Sequence, residues 1–494
     1  MKKCVQPGWQ LSPCLTLMLL MVPFTWAAGQ RSAQPAVLSQ ATLVASARCG
    51  TTPQWSAEQQ VRWNTDLQTF EAWDGTNWLP VHNTPRPADD DETPIVKVTE
   101  QNKLTATGGT GSRHFGHAVH MNGDMAIVGA PNYNKVGSPT NMGATGLAFV
   151  FARNGANWNQ VAVLAASDGK NGDLFGTAVA ISGNTALVGA KQAAVSGKKW
   201  QGAAYVFVAG RQGGWTQQAK LTANDGTNAD FFGNAVALEG NTALVAAASD
   251  DIGNAADRGS VYSFVRSGSS WTQQAKLVAS DGSANDGFGT AISVDGMYAV
   301  VGAQNNANAA GAAYVFARNG LGWAQAGKLV ATGTASKAFG YSVSISGRHI
   351  IIGSLHDDNG PGVSSGAAYI FERDGQAWRQ QARLICTDTA SARYFGMSVS
   401  TNGDYAIIGS VHHDVGTGTN TARGSAYVYL RTGACWNQQE ILTASDAAAD
   451  DWFGFSVSIS GSRAIVGAVW HDSSGNTNQG AAYIYRTNRQ RPCD

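Results

Sequence analysis

Carboxylates recur in this chain at fixed distances from a repeated Phe-Gly pair. Asp168, Asp225, Asp281, Asp388 and Asp446 stand seven residues before a Phe, and Asp173, Asp230, Asp286 and Asp451 stand two before it. Oxygen donors spaced in this way could hold calcium, a hard cation that takes carboxylate and carbonyl ligands. They could equally cap turns by accepting backbone N–H bonds ahead of a strand. A second set, Asp250, Asp251, Asp357, Asp358, Asp414 and Asp472, falls in longer gaps. Three of these follow a histidine, as His356-Asp357, His413-Asp414 and His471-Asp472, and imidazole beside carboxylate can ligate zinc or exchange protons. The same dipeptides also arise in loops whose side chains simply face water. His114, His117 and His120 are spaced by three, which on a strand sets neighbours on opposite sides and works against one shared metal. Trp452 and Trp470 lie outside every repeated aromatic position and are candidates for touching a sugar or a peptide. No Gly-x-Ser-x-Gly nucleophile, phosphate-binding glycine loop or metalloprotease helix is present, so no catalytic residue is assigned.

The elements that must carry these groups are strands. Phe-Gly occurs at Phe115, Phe175, Phe232, Phe288, Phe339, Phe395 and Phe453, and a Val or Ile follows each at +13. In the second copy, period-2 alternation through Val179 and Ile181, then Ser182-Gly183-Asn184, then Ala186 to Ala190, reads as a β-hairpin. A third strand runs from Gly202 to Phe207 and a fourth from Trp215 to Leu221. Four strands per period, with no helical periodicity, predict an all-β, seven-bladed β-propeller with four antiparallel strands per blade.

Only six Trp-to-Leu fourth strands are present for seven first strands: Trp158, Trp215, Trp271, Trp323, Trp378 and Trp436 open them. Leu104 lies as far before Phe115 as Leu164 lies before Phe175. Residues of about 97–106 are therefore expected to supply the missing strand of the last blade, which also removes an exposed sheet edge. In-phase Tyr205, Tyr262, Tyr314, Tyr369, Tyr427 and Tyr483 are read as blade-to-blade packing.

Phe-Gly followed by Val-Gly-Ala resembles the FG-GAP repeat of the integrin alpha-chain N-terminal β-propeller and its bacterial relatives, over about residues 97–486. The resemblance implies adhesion-type interaction. It does not carry over calcium ligands, because the interval that holds them in integrin-like repeats is here shorter and filled by Ser-Gly-Asn-type turns.

Thirty-four basic and 34 acidic residues give no net charge, which offers nothing to capture nucleic acid or an anionic membrane. Residues 1–28 have the basic start, apolar core and small-residue end of a cleavable signal peptide, too short to span a bilayer and with no later transmembrane segment. The expectation is a secreted, periplasmic or cell-surface protein. Residues 29–48 and 83–96 read as linkers around a small aromatic β motif at 49–82, and 487–494 as a C-terminal tail. Export permits a disulfide between Cys49 and Cys493, which flank the ring.

In a blade of alternating strands, the second-to-third and fourth-to-first loops share one side of the disc. Length varies almost wholly in the second-to-third loop, and the Asp residues crowd the same side, while Arg153, Arg211, Arg266, Arg318, Arg373 and Arg431 mark the opposite hairpins. The expectation is a monomeric ring with an acidic, variable face that binds a protein or glycan ligand. Two other readings stay open: a carbohydrate-active hydrolase or lyase that uses converging carboxylates, and a structural subunit of an envelope or fibre assembly.

Overall fold

The computed structural model describes residues 61–64, 69–73, 78–81 and 96–489, apart from 107–112, 134–143, 212, 321, 333–336, 359–364, 387–392, 414–420 and 473–476. The signal peptide, most of both linkers, Cys49, Cys493, Asp388 and Asp414 lie outside these residues. Residues 61–81 form an antiparallel meander of Val61–Asn64, Thr69–Trp73 and Trp78–Val81, in a unit separate from residues 95–491.

In the larger unit, each period folds as its alternation dictates. In blade 2, Phe175–Ser182 turns through Gly183 at φ 53 into Thr185–Ala190, followed by Ala203–Ala209 and Trp215–Leu221. The second strand is buried throughout, as befits a run covered on both faces, whereas the fourth strand is mostly half-exposed at the rim. Seven such four-stranded antiparallel sheets are present, each ordered first-second-third-fourth. The first strands of blades 1 and 3 start later than their Phe residues, at Ala118 and Val236. A short turn at Asn306–Ala309, with left-handed φ at Ala307 and Asn308, occupies the second-to-third loop of blade 4.

The seventh sheet is completed from the N-terminal side. Val96–Leu104 pairs antiparallel with Ala481–Arg489, with Lys103 opposite Tyr483 and Leu104 opposite Ala482. Its register shift between Ile484 and Tyr485 repeats the bulge between Val206 and Phe207 in blade 2, so the borrowed strand follows the geometry of an ordinary fourth strand. The strand begins and ends a little earlier than 97–106. Its partner also runs past residue 486 into the segment expected to be a tail, because the pairing continues to Val96 opposite Arg489.

The Phe-Gly pair is a fastener between blades. The N–H of each Phe donates to a carbonyl just before the third strand of the preceding blade, for example Phe232 to Gln201 at 2.8 Å and Phe115 to Gln479, across the closure, at 2.9 Å. Each Phe ring packs on the aromatic residue of its own third strand, at 5.1 Å for Phe395 on Tyr427 and 5.6 Å for Phe175 on Tyr205. The seven core clusters accordingly lie between blades: the one around Phe175 combines Ile127, Val150 and Leu164 of blade 1 with Val188 and Tyr205 of blade 2.

The glycine of the Gly-Ala or Gly-Ser element explains itself at the same contact. A Cβ on Gly302 would lie 1.9 Å from the carbonyl oxygen of Gly340 in the next blade. Blade 3 carries Ala246 here, and the opposed Gly289 stands at φ 101, beyond the other Phe-Gly glycines. Gly302→Ala is expected to destabilise the ring by about 1–3 kcal/mol or more through overpacking against backbone. Thermal and denaturant melts check this; a neutral result would mean that the blades are not in contact there.

Candidate functional site

The side bearing the fourth-to-first and second-to-third loops is assembled from three recurring positions. The first is the Asp seven residues before Phe. In blade 2, Asp168 accepts the Tyr205 hydroxyl at 2.9 Å and the Lys220 ammonium at 2.6 Å. Asp225 does the same with Tyr262 and Lys276, and Asp281 with Tyr314 and Lys328. Blade 7 assembles the group across the closure: Asp446 accepts Tyr483 at 2.7 Å and Lys103 of the borrowed strand at 2.5 Å. Tyr and Lys are direct cross-strand partners in each case, so the pleat sets them on one face where a single carboxylate can bridge them. Lys328 and Tyr314 bring the Asp281 carboxyl below its usual range. For Asp168, Asp225 and Asp446 burial pushes the other way, but the Lys and Tyr donors outweigh it.

The second position is the Asp two before Phe. Asp173, Asp286 and Asp451 each accept the backbone N–H of the residue three earlier at 2.7 Å, and Asp230 accepts that of Thr227 in the same way. These are turn caps, buried beneath the surface. Burial pushes the Asp173 and Asp230 carboxyls up despite those bonds. The carboxylates offered for calcium are thus filled by donors of the chain itself. Among the described residues no group of three or more His, Cys, Asp or Glu side chains could hold a metal ion.

The third position follows the second strand. His356-Asp357 and His471-Asp472 are not equivalent, because they are offset by one residue. Two residues after their second strands stand His356, His412 and Trp470, half-exposed; three after stand Asp357, His413 and His471, which are 0%, 1% and 3% exposed. Asp250 occupies the same buried position in blade 3, where it accepts the Ser260 and Tyr262 hydroxyls and pairs with Lys276 at 2.7 Å. Asp357 is held by Tyr369 and by Arg383 at 2.8 Å. His413 Nδ1 lies 2.7 Å from Ser425 Oγ. His471 Nδ1 lies 2.9 Å from Asp451, and its Nε2 lies 2.7 Å from Lys103. Lys103 can only donate, so Nε2 accepts and the proton sits on Nδ1. These side chains are held by groups of their own blade and its neighbour's turn. Asp358 pairs with Lys337 at 2.9 Å, while Asp251 and Asp472 each cap a turn within their own loop, at Asp257 and Asn478.

The face is consequently less acidic than its Asp count implies, since Lys103, Lys220, Lys276, Lys328, Lys337 and Arg383 neutralise it in place. The opposite hairpins are tempered likewise, by Asp124 on Arg153 and Asp404 on Arg431. A cleft of 560 Å³ lies on that opposite side, lined by Asn402, Asp404, Tyr405, Gly461, Ser462, Arg486 and Thr487.

The three early histidines serve separate contacts. His114 Nδ1 meets Asn132 Nδ2 at 2.8 Å, His117 Nδ1 meets the Thr177 carbonyl at 3.2 Å, and His120 Nδ1 accepts the Ile181 N–H at 3.2 Å. His117 and His120 both reach blade 2 rather than opposite sides, because the first strand of blade 1 begins only at Ala118. Burial drives both down to about 4, with the Lys191 charge adding to the effect at His117. The folded state therefore binds fewer protons than the unfolded chain between pH 6.5 and about 4. Their contribution is complete above 6.5 and lost as pH falls through that window. Replacing both by Gln is expected to flatten the stability-versus-pH slope there, with urea melts at stepped pH as the readout; an unchanged slope would contradict the burial of neutral rings.

Residues half-exposed on this face that sequence reasoning passed over are Tyr394, His412 and Phe455. Their signal was positional: Tyr394, like Trp452 and His114, immediately precedes a Phe-Gly pair.

The family described as FG-GAP repeat matches the chain seven times, over residues 98–151, 158–207, 215–264, 271–316, 323–371, 378–429 and 436–485. Every match begins in a fourth strand and ends in a third, so the sequence repeat is offset by one strand from the sheet. The first match opens in Val96–Leu104, the strand that closes the ring. A search among curated proteins gives no match. Among the described residues no helix is long and apolar enough to cross a membrane.

Proposed function

Because the chain belongs to the FG-GAP repeat family, whose propeller is a general scaffold for binding, we propose that it is an exported binding module that engages a protein or glycan ligand, in an adhesion-type interaction, through the face carrying the second-to-third and fourth-to-first loops. The observation that carries this reading is where the blades differ. Fasteners, glycine contacts and hairpin turns recur with little change, whereas the residues just before each Phe-Gly and just after each second strand range from Gly287 and Ser249 to Trp452 and Trp470. A rigid platform with one diversified surface suits recognition. The leader at residues 1–28 supports export. An enzyme built on paired carboxylates is not favoured, because the cleft on the hairpin side has Asp404 as its sole carboxylate, and Arg431 holds it.

Screening the full secreted protein against glycans and surface proteins tests the reading. Charge reversal at exposed Asp251 and Asp472 on the loop face is expected to weaken binding, while Asn184→Lys on a hairpin turn leaves it unchanged. Loss through the hairpin variant alone would put the site on the wrong side. Chelation is a separate check: with the carboxylates occupied by Lys, Tyr and backbone N–H donors, EDTA is expected to leave the melting midpoint unmoved, and a drop reversed by calcium would show that the ion is structural.

A further inference from the structure

The variable positions do not vary at random around the ring. In blades 5, 6, 7 and 1 they carry rings that touch in sequence. His356 lies 5.6 Å from Tyr394, Tyr394 4.7 Å from His412, His412 5.3 Å from Trp452, Trp452 6.0 Å from Trp470, and Trp470 4.2 Å from His114, all between ring centroids. Contacts alternate between and within blades, giving one continuous arc on the loop face. All six side chains are half-exposed. Phe455 stacks near-parallel on Trp452 at 6.3 Å and backs the arc.

Three features say what such an arc would take. Tyr394, Trp452 and His114 project from left-handed backbone, at φ 54, 54 and 56, at a position that is equally left-handed at Leu174 and Phe231 outside the arc and is Gly287 in blade 4 and Ala338 in blade 5. Left-handed backbone is strained for any residue but glycine, so these rings are held in place against a local backbone cost. Next, the Tyr394 hydroxyl and the Trp452 and Trp470 indole N–H groups have no protein partner among the described residues, which leaves polar edges beside apolar faces. Finally, the basic side chains near the arc are ion-paired, Lys337 with Asp358, Arg383 with Asp357 and Lys103 with Asp446, burial pushes the His114 imidazole below its usual range, and the exposed Asp450 and Asp472 flank Trp452 and Trp470 outside any ion pair among the described residues.

We propose that this arc is a binding site for an uncharged polysaccharide, with sugar rings laid on Trp452 and Trp470 and their hydroxyls meeting the imidazole, phenol and indole edges. A sugar ring offers a C–H face and a hydroxyl rim, the complement of these side chains, and successive ring-to-ring steps in the arc suit successive residues of a chain. An anionic polymer would find the nearby basic groups already paired and would meet the exposed Asp450 and Asp472 carboxylates beside Trp452 and Trp470. The inference rests on the loop-face binding reading and narrows it to one ligand class.

The test is affinity electrophoresis and calorimetry of the full protein against cellulose, xylan, chitin and dextran oligomers, with alginate and heparan sulfate as charged comparisons and an array of surface proteins in parallel. At least one neutral polymer should bind. Trp452→Ala and Trp470→Ala should each weaken it about tenfold or more, the scale of an aromatic hot spot, while Trp200→Ala, an exposed aromatic in blade 2, should not. Trp452→Phe and Trp470→Phe keep a ring in place and should retain part of the affinity, which separates lost stacking from lost folding. Neutral-polymer binding indifferent to both tryptophans, or binding of charged polymers alone, would overturn the arc. Capture of a surface protein through the loop face with no sugar bound would overturn it too, yet leave the broader reading standing. Binding to neither sugars nor proteins would remove both.

Discussion

Each blade is fastened to its predecessor by a backbone hydrogen bond from a Phe N–H, with others beside it at several junctions, and by a carbonyl packed where a Cβ would otherwise sit. The Phe ring then turns back onto its own third strand, so one dipeptide joins a neighbour and fills a core at once. Because the apolar clusters lie between sheets rather than within them, no blade buries its faces alone, and the ring must be complete to be stable. Positions tied to this contact are consequently fixed in type. Chemical variety is left to the residues that flank it on the loop side.

The closure obeys the same constraint. Val96–Leu104 supplies a strand, a bulge and a lysine in the places they hold in blades 2, 3 and 4, so that Lys103 joins Asp446 and Tyr483 as Lys220 joins Asp168 and Tyr205. Blade 1 lacks the whole group. It has Phe149 in place of the tyrosine and Val163 in place of the lysine, and Gly108 stands where the aspartate would be. Elsewhere the three positions vary separately: blade 5 keeps Tyr369 opposite Arg383 with Thr332 in place of the aspartate, and blade 6 keeps Asp388 and Tyr427 with Ile441 in place of the lysine.

Much of this was legible from spacing alone. Seven Phe-Gly pairs with a fixed interval to the second strand gave the blade count, and the missing sixth-plus-one Trp-to-Leu strand pointed to Leu104 as its replacement. What spacing could not reveal was depth. His356-Asp357 and His471-Asp472 look alike as dipeptides, but the ends of their second strands, Ser354 and Ala468, differ by one residue in their distance to the histidine. That offset turns one imidazole to the surface and the other into an ion network. Tyr394 and His412 were hidden for a related reason: their contacts with His356 and Trp452 cross between blades, which a single period does not display. The acidity of the face was overstated because its lysines come from fourth strands and read, in sequence, as rim residues.

Residues 96–104 are an integral strand of the last blade, without which neither the ring nor its loop face would hold. Hydrogen exchange read by mass spectrometry addresses this in the unmodified protein. The amides of Val96–Leu104 that pair with Ala481–Arg489 should exchange together with that strand and as slowly as the fourth strand Trp215–Leu221. Exchange of 96–104 at the rate of a free peptide, while the rest of the ring stays protected, would contradict the account.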